Sequence, residues 1–305
     1  MIVVENLFKK YDRTIALNNV SFSIPNGTIL GLLGPNGAGK TTFIRILTGI
    51  IIQDSGEIFV NEEKINIQNI KRIGYLPEER GLYKKMKVGE QAIYLACLKG
   101  LTPHDAEIRL KEWFVILNIL DWWDRKVETL SKGMQQKVQF IISVIHRPDL
   151  LILDEPFSGL DPVNQEVLGK QIVNLNKEGT TIVLSTHDMN SVEQFCNQVV
   201  LINKGEVVLS GGINEIKHSN CHCIYEFKFK CNIDYFIEEC SLFGAGVKSS
   251  ESEGGIFIVS VQFHNEQDAM RMLVRCIEHI SLISFREILP TMNDIFIEYV
   301  TDTIK

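Results

Sequence analysis

Residues 28–49 read TILGLLGPNGAGKTTFIRILTG, and the central GPNGAGKTT at 34–42 decides the fold. It fits G-x-x-x-x-G-K-[ST], follows an apolar strand-like run and leads into a helix-like one, the context the pattern requires. Gly34, Gly37 and Gly39 let the backbone turn tightly enough for successive N–H groups to face phosphate oxygens. The following helix adds the positive end of its dipole. Lys40 supplies a point charge for the outer phosphates, and the Thr41 hydroxyl is a candidate ligand for Mg²⁺. The candidate nucleotide contacts are Gly34, Asn36, Gly37, Ala38, Gly39, Lys40, Thr41 and Thr42. This is a nucleotide site.

Other motifs build outward from the loop. LLILDEP at 150–156 is an apolar strand ending in two carboxylates, placed at the carboxyl edge of a sheet, where α/β ligands sit. Asp154 is the candidate to hold Mg²⁺, directly or through water, and Glu155 the candidate to polarise the attacking water. TIVLSTH ends a further strand at His187, within reach of a terminal phosphate. In LSKGMQQK at 130–137, Ser131 is a candidate helix cap and the loop through Gly133 a candidate anion site. The chain already has one phosphate cradle, so a second suggests that it serves another chain's nucleotide. YLPEERGLY at 75–83 carries adjacent carboxylates, Glu78 and Glu79, open to reading as acid/base groups, a metal site or a solvated turn.

Around these motifs, IVVENLF, VSFSI and TILGLLG read as strands, with a turn at Pro25-Asn26-Gly27. GEIFVNEEKI reads as a hairpin turning at Asn61-Glu62, and VVLINKGEVVL as another around Lys204-Gly205. From about Val88 to His146 the period is helical. Ala106, Leu110, Trp113 or Phe114, Leu117 and Leu120 form one apolar stripe. Trp122 and Trp123 read as core or interface residues. Strand–helix alternation implies a largely parallel α/β core with a helical insertion. After Gly211-Gly212, IYEFKFKC, GGIFIVSVQF and SLISFREI read as strands, with helices at DAMRMLVRCIEHI and PTMNDIFIEYV, giving a second small α+β domain.

The 305 residues, 45% hydrophobic and 23% charged, suffice for two cores, and a net charge of −7 argues against non-specific nucleic-acid binding. No apolar run approaches membrane-span length and the first residues lack a signal-peptide layout, so a cytosolic chain is expected. Seven cysteines without a secretory signal point to reduced thiols. His218, Cys221, His222, Cys223, Cys231 and Cys240 superficially resemble a zinc site. The Cys221–Cys223 spacing is wrong for one, and buried or half-buried thiols are the better reading.

The succession Tyr11, GPNGAGKT, LSKGMQQ, LLILDEP, SGLD (158–161) and STH (185–187) resembles the ATP-binding subunit of an ATP-binding cassette (ABC) transporter over residues 1–215. The resemblance implies an α/β P-loop NTPase core with an antiparallel β subdomain and a helical insertion at about 86–146. Residues 220–305 resemble the accessory α+β domain of ABC-2-type exporter ATPases, including sodium and drug-efflux ATPases. It implies that Tyr11 stacks on adenine and that Ser131 and Gly133 contact ATP bound to a second subunit. Asp161 would lie in the loop joining the two subunits. Two subunits, as a homodimer or with a related chain, would sandwich two ATP molecules with Mg²⁺. Their hydrolysis would drive a separate transmembrane permease at the cytoplasmic face of the membrane, exporting an ion, drug or other small substrate. The alternative is a soluble ABC-type ATPase acting on a nucleic-acid or ribosomal partner, which the acidic balance disfavours. Two departures stand out. Lys132 and Met134 replace a glycine and the glutamine of the usual signature LSGGQ, and Glu78 stands at the position of a glutamine that senses Mg²⁺ and the membrane partner. A second carboxylate beside phosphates repels them unless a metal or Arg80 offsets it.

Overall fold

The computed structural model describes residues 1–79 and 81–302, so Arg80 lies outside the described residues. The chain divides into two compact units, Met1–Ile213 with the chain from Tyr299 on, and Asn214–Glu298.

In chain order the first unit runs β1 (Ile2–Tyr11), β2 (Thr14–Ile24), β3 (Ile29–Leu33), α1 (Lys40–Leu47), β4 (Ser55–Val60), β5 (Glu63–Lys64), α2 (Ile67–Lys71) and β6 (Ile73–Leu76). The helical insertion follows with α3 (Val88–Leu98), α4 (Pro103–Ile116) and α5 (Lys132–Val144). Then come β7 (Leu150–Asp154), α6 (Pro162–Lys177), β8 (Thr181–Ser185), α7 (Met189–Phe195), β9 (Gln198–Asn203) and β10 (Glu206–Gly212).

Six strands form the central sheet in the order β10-β9-β3-β8-β7-β6, parallel except for β10. Every residue of β3, β7 and β8 is buried, which explains their unbroken apolar runs: a parallel strand covered on both faces has no polar side. β10 closes the edge through a hairpin whose Lys204 and Gly205 both have positive φ, as a two-residue turn of this hand requires. A second, antiparallel sheet runs β2-β1-β4-β5, with the same turn chemistry at Asn61 and Glu62.

Within the insertion, α4 starts on Thr102, whose hydroxyl accepts from the Asp105 N–H, with Pro103 at the first helical position. Its buried face is Ala106, Leu110 and Phe114, four apart. Trp113 meets Phe140 edge-on at 6.0 Å, and Phe114 meets Trp123 at 5.2 Å. Truncating Phe114 to alanine would cost about 3–5 kcal/mol. Leu120, expected on the same stripe, is instead exposed in a 3-10 turn, because Asn118 takes a left-handed φ of 53° and breaks the helical period. Trp122 and Trp123 are partly buried against this core.

The second unit contains most of α8 (Ile213–Ser219), followed by β11 (Ile224–Lys230), α9 (Ile233–Leu242), β12 (Gly246–Glu253), β13 (Ile256–Gln262), α10 (Glu266–Cys276), β14 (Ser281–Ile288) and the start of α11 (Met292–Asp302). Its antiparallel sheet has the order β12-β13-β11-β14, the split βαβ pattern. On β11 the alternate residues Tyr225, Phe227 and Phe229 are buried, and Phe236 of α9 packs on both phenylalanines at 4.9 and 4.6 Å. All seven cysteines are free. Cys240 and Cys276 are buried, whereas Cys231, expected to be at least half-buried, is exposed at a left-handed φ of 65° just after β11.

Candidate functional site

The loop between β3 and α1 owes its shape to close approaches that exclude side chains. At Gly34 a Cβ would run into the carbonyl oxygen of Ile202, and at Gly39 into that of Ala16, with φ of 147° and 114° respectively. The loop is tied to its surroundings: the Gly205 N–H donates to Ala38 O at 2.9 Å, and the Asn18 N–H to Gly205 O at 2.8 Å. Ala38 is buried, while Asn36, Gly37 and Thr41 are exposed and Thr42 half-buried.

Lys40 opens α1, so its side chain leaves the helix where the unsatisfied N–H groups are. Its Nζ donates to Gly34 O at 2.5 Å and Pro35 O at 3.1 Å. Burial lowers its pKa, opposed by the charges of Glu155, Asp154 and Glu78. That opposition brings four residues from three segments of the sequence into one electrostatic neighbourhood.

Asp154 ends β7 at 5% exposure. Burial pushes its carboxyl above the usual range, a hydrogen bond with Ser185 pulls it down, and the negative charges of Glu78 and Glu155 push it up again. Glu155 follows with a left-handed φ of 50°, its N–H donating to Ser185 O at 2.8 Å. Its Oε1 accepts from the His187 N–H at 3.0 Å and lies 2.8 Å from His187 Nδ1, and its Oε2 accepts from the Thr186 hydroxyl at 3.3 Å. Glu78, exposed just past β6, faces this cluster through its charge.

The signature segment is built differently. Ser131 caps α5, its hydroxyl accepting from the Met134 N–H at 3.2 Å. A Cβ on Gly133 would lie 2.6 Å from Gly159 O, so this glycine already serves contact within its own chain. Asp161 caps α6 by accepting from the Asn164 N–H, which lowers its pKa. Tyr11 ends β1 at 43% exposure, with Lys9 Nζ 5.5 Å from its ring centroid.

Three residues here were not singled out from the sequence. Ser185 and Thr186 hold the two carboxylates, and Gln136 donates from Nε2 to Glu155 O at 3.3 Å and Pro156 O at 3.1 Å. Gln136 thus ties the signature helix to the turn after β7.

Hard oxygen donors, Thr41 Oγ1 and the Asp154 and Glu78 carboxylates, suit Mg²⁺. No group of three or more His, Cys, Asp or Glu side chains placed to hold a metal ion occurs among the described residues.

Comparisons with known proteins identify the family of the chain. Residues 17–158 match the family model for the ABC transporter, and residues 211–300 that for the ATP-binding protein DrrA1-3-like, C-terminal domain. The chain is 45% identical over 219 residues to the uncharacterized ABC transporter ATP-binding protein YhaQ of Bacillus subtilis (strain 168), covering 72% of this chain and 74% of that one. It is 35% identical over 209 residues to the lantibiotic transport ATP-binding protein SrtF of Streptococcus pyogenes, covering 68% and 90%. A solved structure of an ATP binding subunit of an ABC transporter matches with TM-score 0.67 and 29% identity, over 72% of this chain and 92% of that one.

Proposed function

We infer the working cycle from one premise: this chain belongs to the ATP-binding proteins of ABC transporters and is an ATPase that powers a separate membrane transporter. Residues 1–215 are its nucleotide-binding domain and 220–305 an accessory domain. Gly34 to Thr42 wrap the phosphates, Lys40 neutralises the outer ones, and Tyr11 stacks on the adenine. Thr41 and Asp154 hold Mg²⁺, with Glu78 beside them; the ion, when bound, neutralises charge developing on the phosphates.

The observation that carries the reading is the Glu155 carboxylate, held by His187 and Thr186 in the same electrostatic neighbourhood as Lys40 and Asp154. In that place Glu155 takes a proton from the attacking water, and His187 keeps the carboxylate aimed and reaches the terminal phosphate. Ser131 and Gly133 meet the ATP of a second ATP-binding subunit, whose own signature completes this site in return, and Asp161 lies at the junction. Hydrolysis separates the pair and moves the permease.

Export is the direction we propose, in line with relatives named for lantibiotic transport and linearmycin resistance. No helix among the described residues is long and apolar enough to cross a membrane, and in this reading attachment to the cytoplasmic face runs through the permease. Affinity purification from membranes tests the assignment. A co-purifying polytopic membrane protein is expected, and recovery of ribosomes or DNA alone would overturn it.

A further inference from the structure

At the amino end of the parallel strands, away from the nucleotide site, lies a cavity of about 440 Å³. It sits where β6 and β7 begin, roughly 15 Å of strand from Asp154 at a rise of about 3.3 Å per residue. The volume falls within the range of small-molecule sites. Its walls are unlike the rest of this acidic chain: Lys71, Arg72, Lys99, Arg109 and Arg147 line it with His146, against only Asp105 and Asp149.

Some of this charge is already engaged. Arg72 pairs with Asp149 at 2.6 Å, Lys99 Nζ donates to Ile73 O at 3.0 Å, and Arg109 Nη1 donates to Ile145 O at 3.4 Å. Each lysine and arginine keeps further N–H groups beyond those bonds. Lys71 and Arg147 are exposed and make no ion pair among the described residues. His146 Nε2 lies 3.3 Å from Ile73 O, while its Nδ1 is buried without a hydrogen-bond partner.

We propose that this cavity is a binding site for a phosphorylated small molecule, whose phosphates are held by Lys71, Arg72, Lys99 and Arg147. A second cavity of about 730 Å³ shares Arg72, Arg147 and Asp149, and its wall mixes Asn26, Asn61, Thr180 and Thr181 with apolar residues and one further carboxylate, Glu178. It offers room for an uncharged polar body attached to the phosphates. Guanidinium groups supply paired N–H donors to such oxygens, and the local excess of positive charge attracts a polyanion that the chain as a whole repels. The site is separate from the one that hydrolyses ATP, so its occupant acts as an effector and not as fuel.

Inorganic tripolyphosphate is the probe for the anionic part, titrated calorimetrically into the full-length chain. Lys40→Ala silences the nucleotide loop and should leave one binding event. Adding Lys71→Gln and Arg147→Gln to that variant should weaken the remaining event about tenfold or more, and 0.5 M salt should do likewise. Both added changes fall on exposed side chains, and ATP hydrolysis by the double variant with Lys40 intact checks its fold. Arg147→Gln alone gives the same reading at smaller amplitude. Loss of all binding in Lys40→Ala, or undiminished binding in the triple variant, would overturn the proposal.

Discussion

One oxygen of Glu155 accepts from both the backbone and the ring of His187, at 3.0 Å from the N–H and 2.8 Å from Nδ1. The glutamate side chain is 16% exposed and the histidine side chain 83%. The donors therefore stand on the open side of a mostly enclosed carboxylate. They fix where that carboxylate points before any substrate arrives.

Glu155→Gln keeps the shape and removes the proposed base. Turnover should fall about 100-fold or more, with an ATP-dependent dimer accumulating on size-exclusion chromatography. Fast hydrolysis by this variant would remove Glu155 from its role.

Gly133→Ala tests a contact inside one chain. Its Cβ would sit 2.6 Å from Gly159 O and 3.2 Å from Leu160 Cδ2, so one of the two segments must move. Overpacking of this kind costs about 1–3 kcal/mol. The nucleotide-free protein should melt several degrees lower. An unchanged melting temperature with hydrolysis lost would assign the glycine wholly to contact with the second subunit.

Burial lowers the pKa of Lys40 and raises that of Asp154, and the charge of Glu78 adds an upward push on each. Glu78→Gln should therefore strengthen Mg²⁺-free nucleotide binding about two- to fivefold, by removing a screened repulsion. Glu78→Ala should lower ATPase stimulation by the permease. If neither stimulation nor transport changes, the stretch 75–83 is a plain charged turn.

Burial, and then the charge of Lys99, hold His146 down to about 4 from an ordinary value of 6.5, against the pull of its bond to Ile73. The unfolded chain takes up a proton between those two values and the folded chain does not. Stability is thus fully present above pH 6.5 and declines as pH falls towards 4, by at most about 3 kcal/mol. His146→Phe should flatten that decline, measured by urea denaturation at pH 7 and pH 5. An unaltered slope would refute the buried, neutral histidine.

Much of this was legible because the nucleotide site is made of backbone constraints that only certain residues satisfy. The loop at 34–42 needs its glycines for the Ile202 and Ala16 approaches, and β7 shows its burial as an uninterrupted apolar run. The second unit concealed more. β12, GVKSSESE, is a sheet edge with every residue exposed, so no alternation marks it. Across α9 the buried Glu239 breaks the apolar face, and only the structure reveals Arg275 of α10 bonding it at 2.9 Å. Gln136 escaped notice for a related reason: its partners are main-chain oxygens 19 and 20 residues away, which no local pattern announces.

The hydrogen bonds that join Ala38, Gly205 and Asn18 link the phosphate loop, the β9–β10 hairpin and the antiparallel sheet into one braced body. An arriving nucleotide does not have to order the cradle, because its conformational entropy was surrendered when the domain folded. Binding energy at the phosphates is then free to act elsewhere, on the approach of the two subunits and the shift transmitted to the membrane. The stiffness of the loop is what makes the rest of the machine movable.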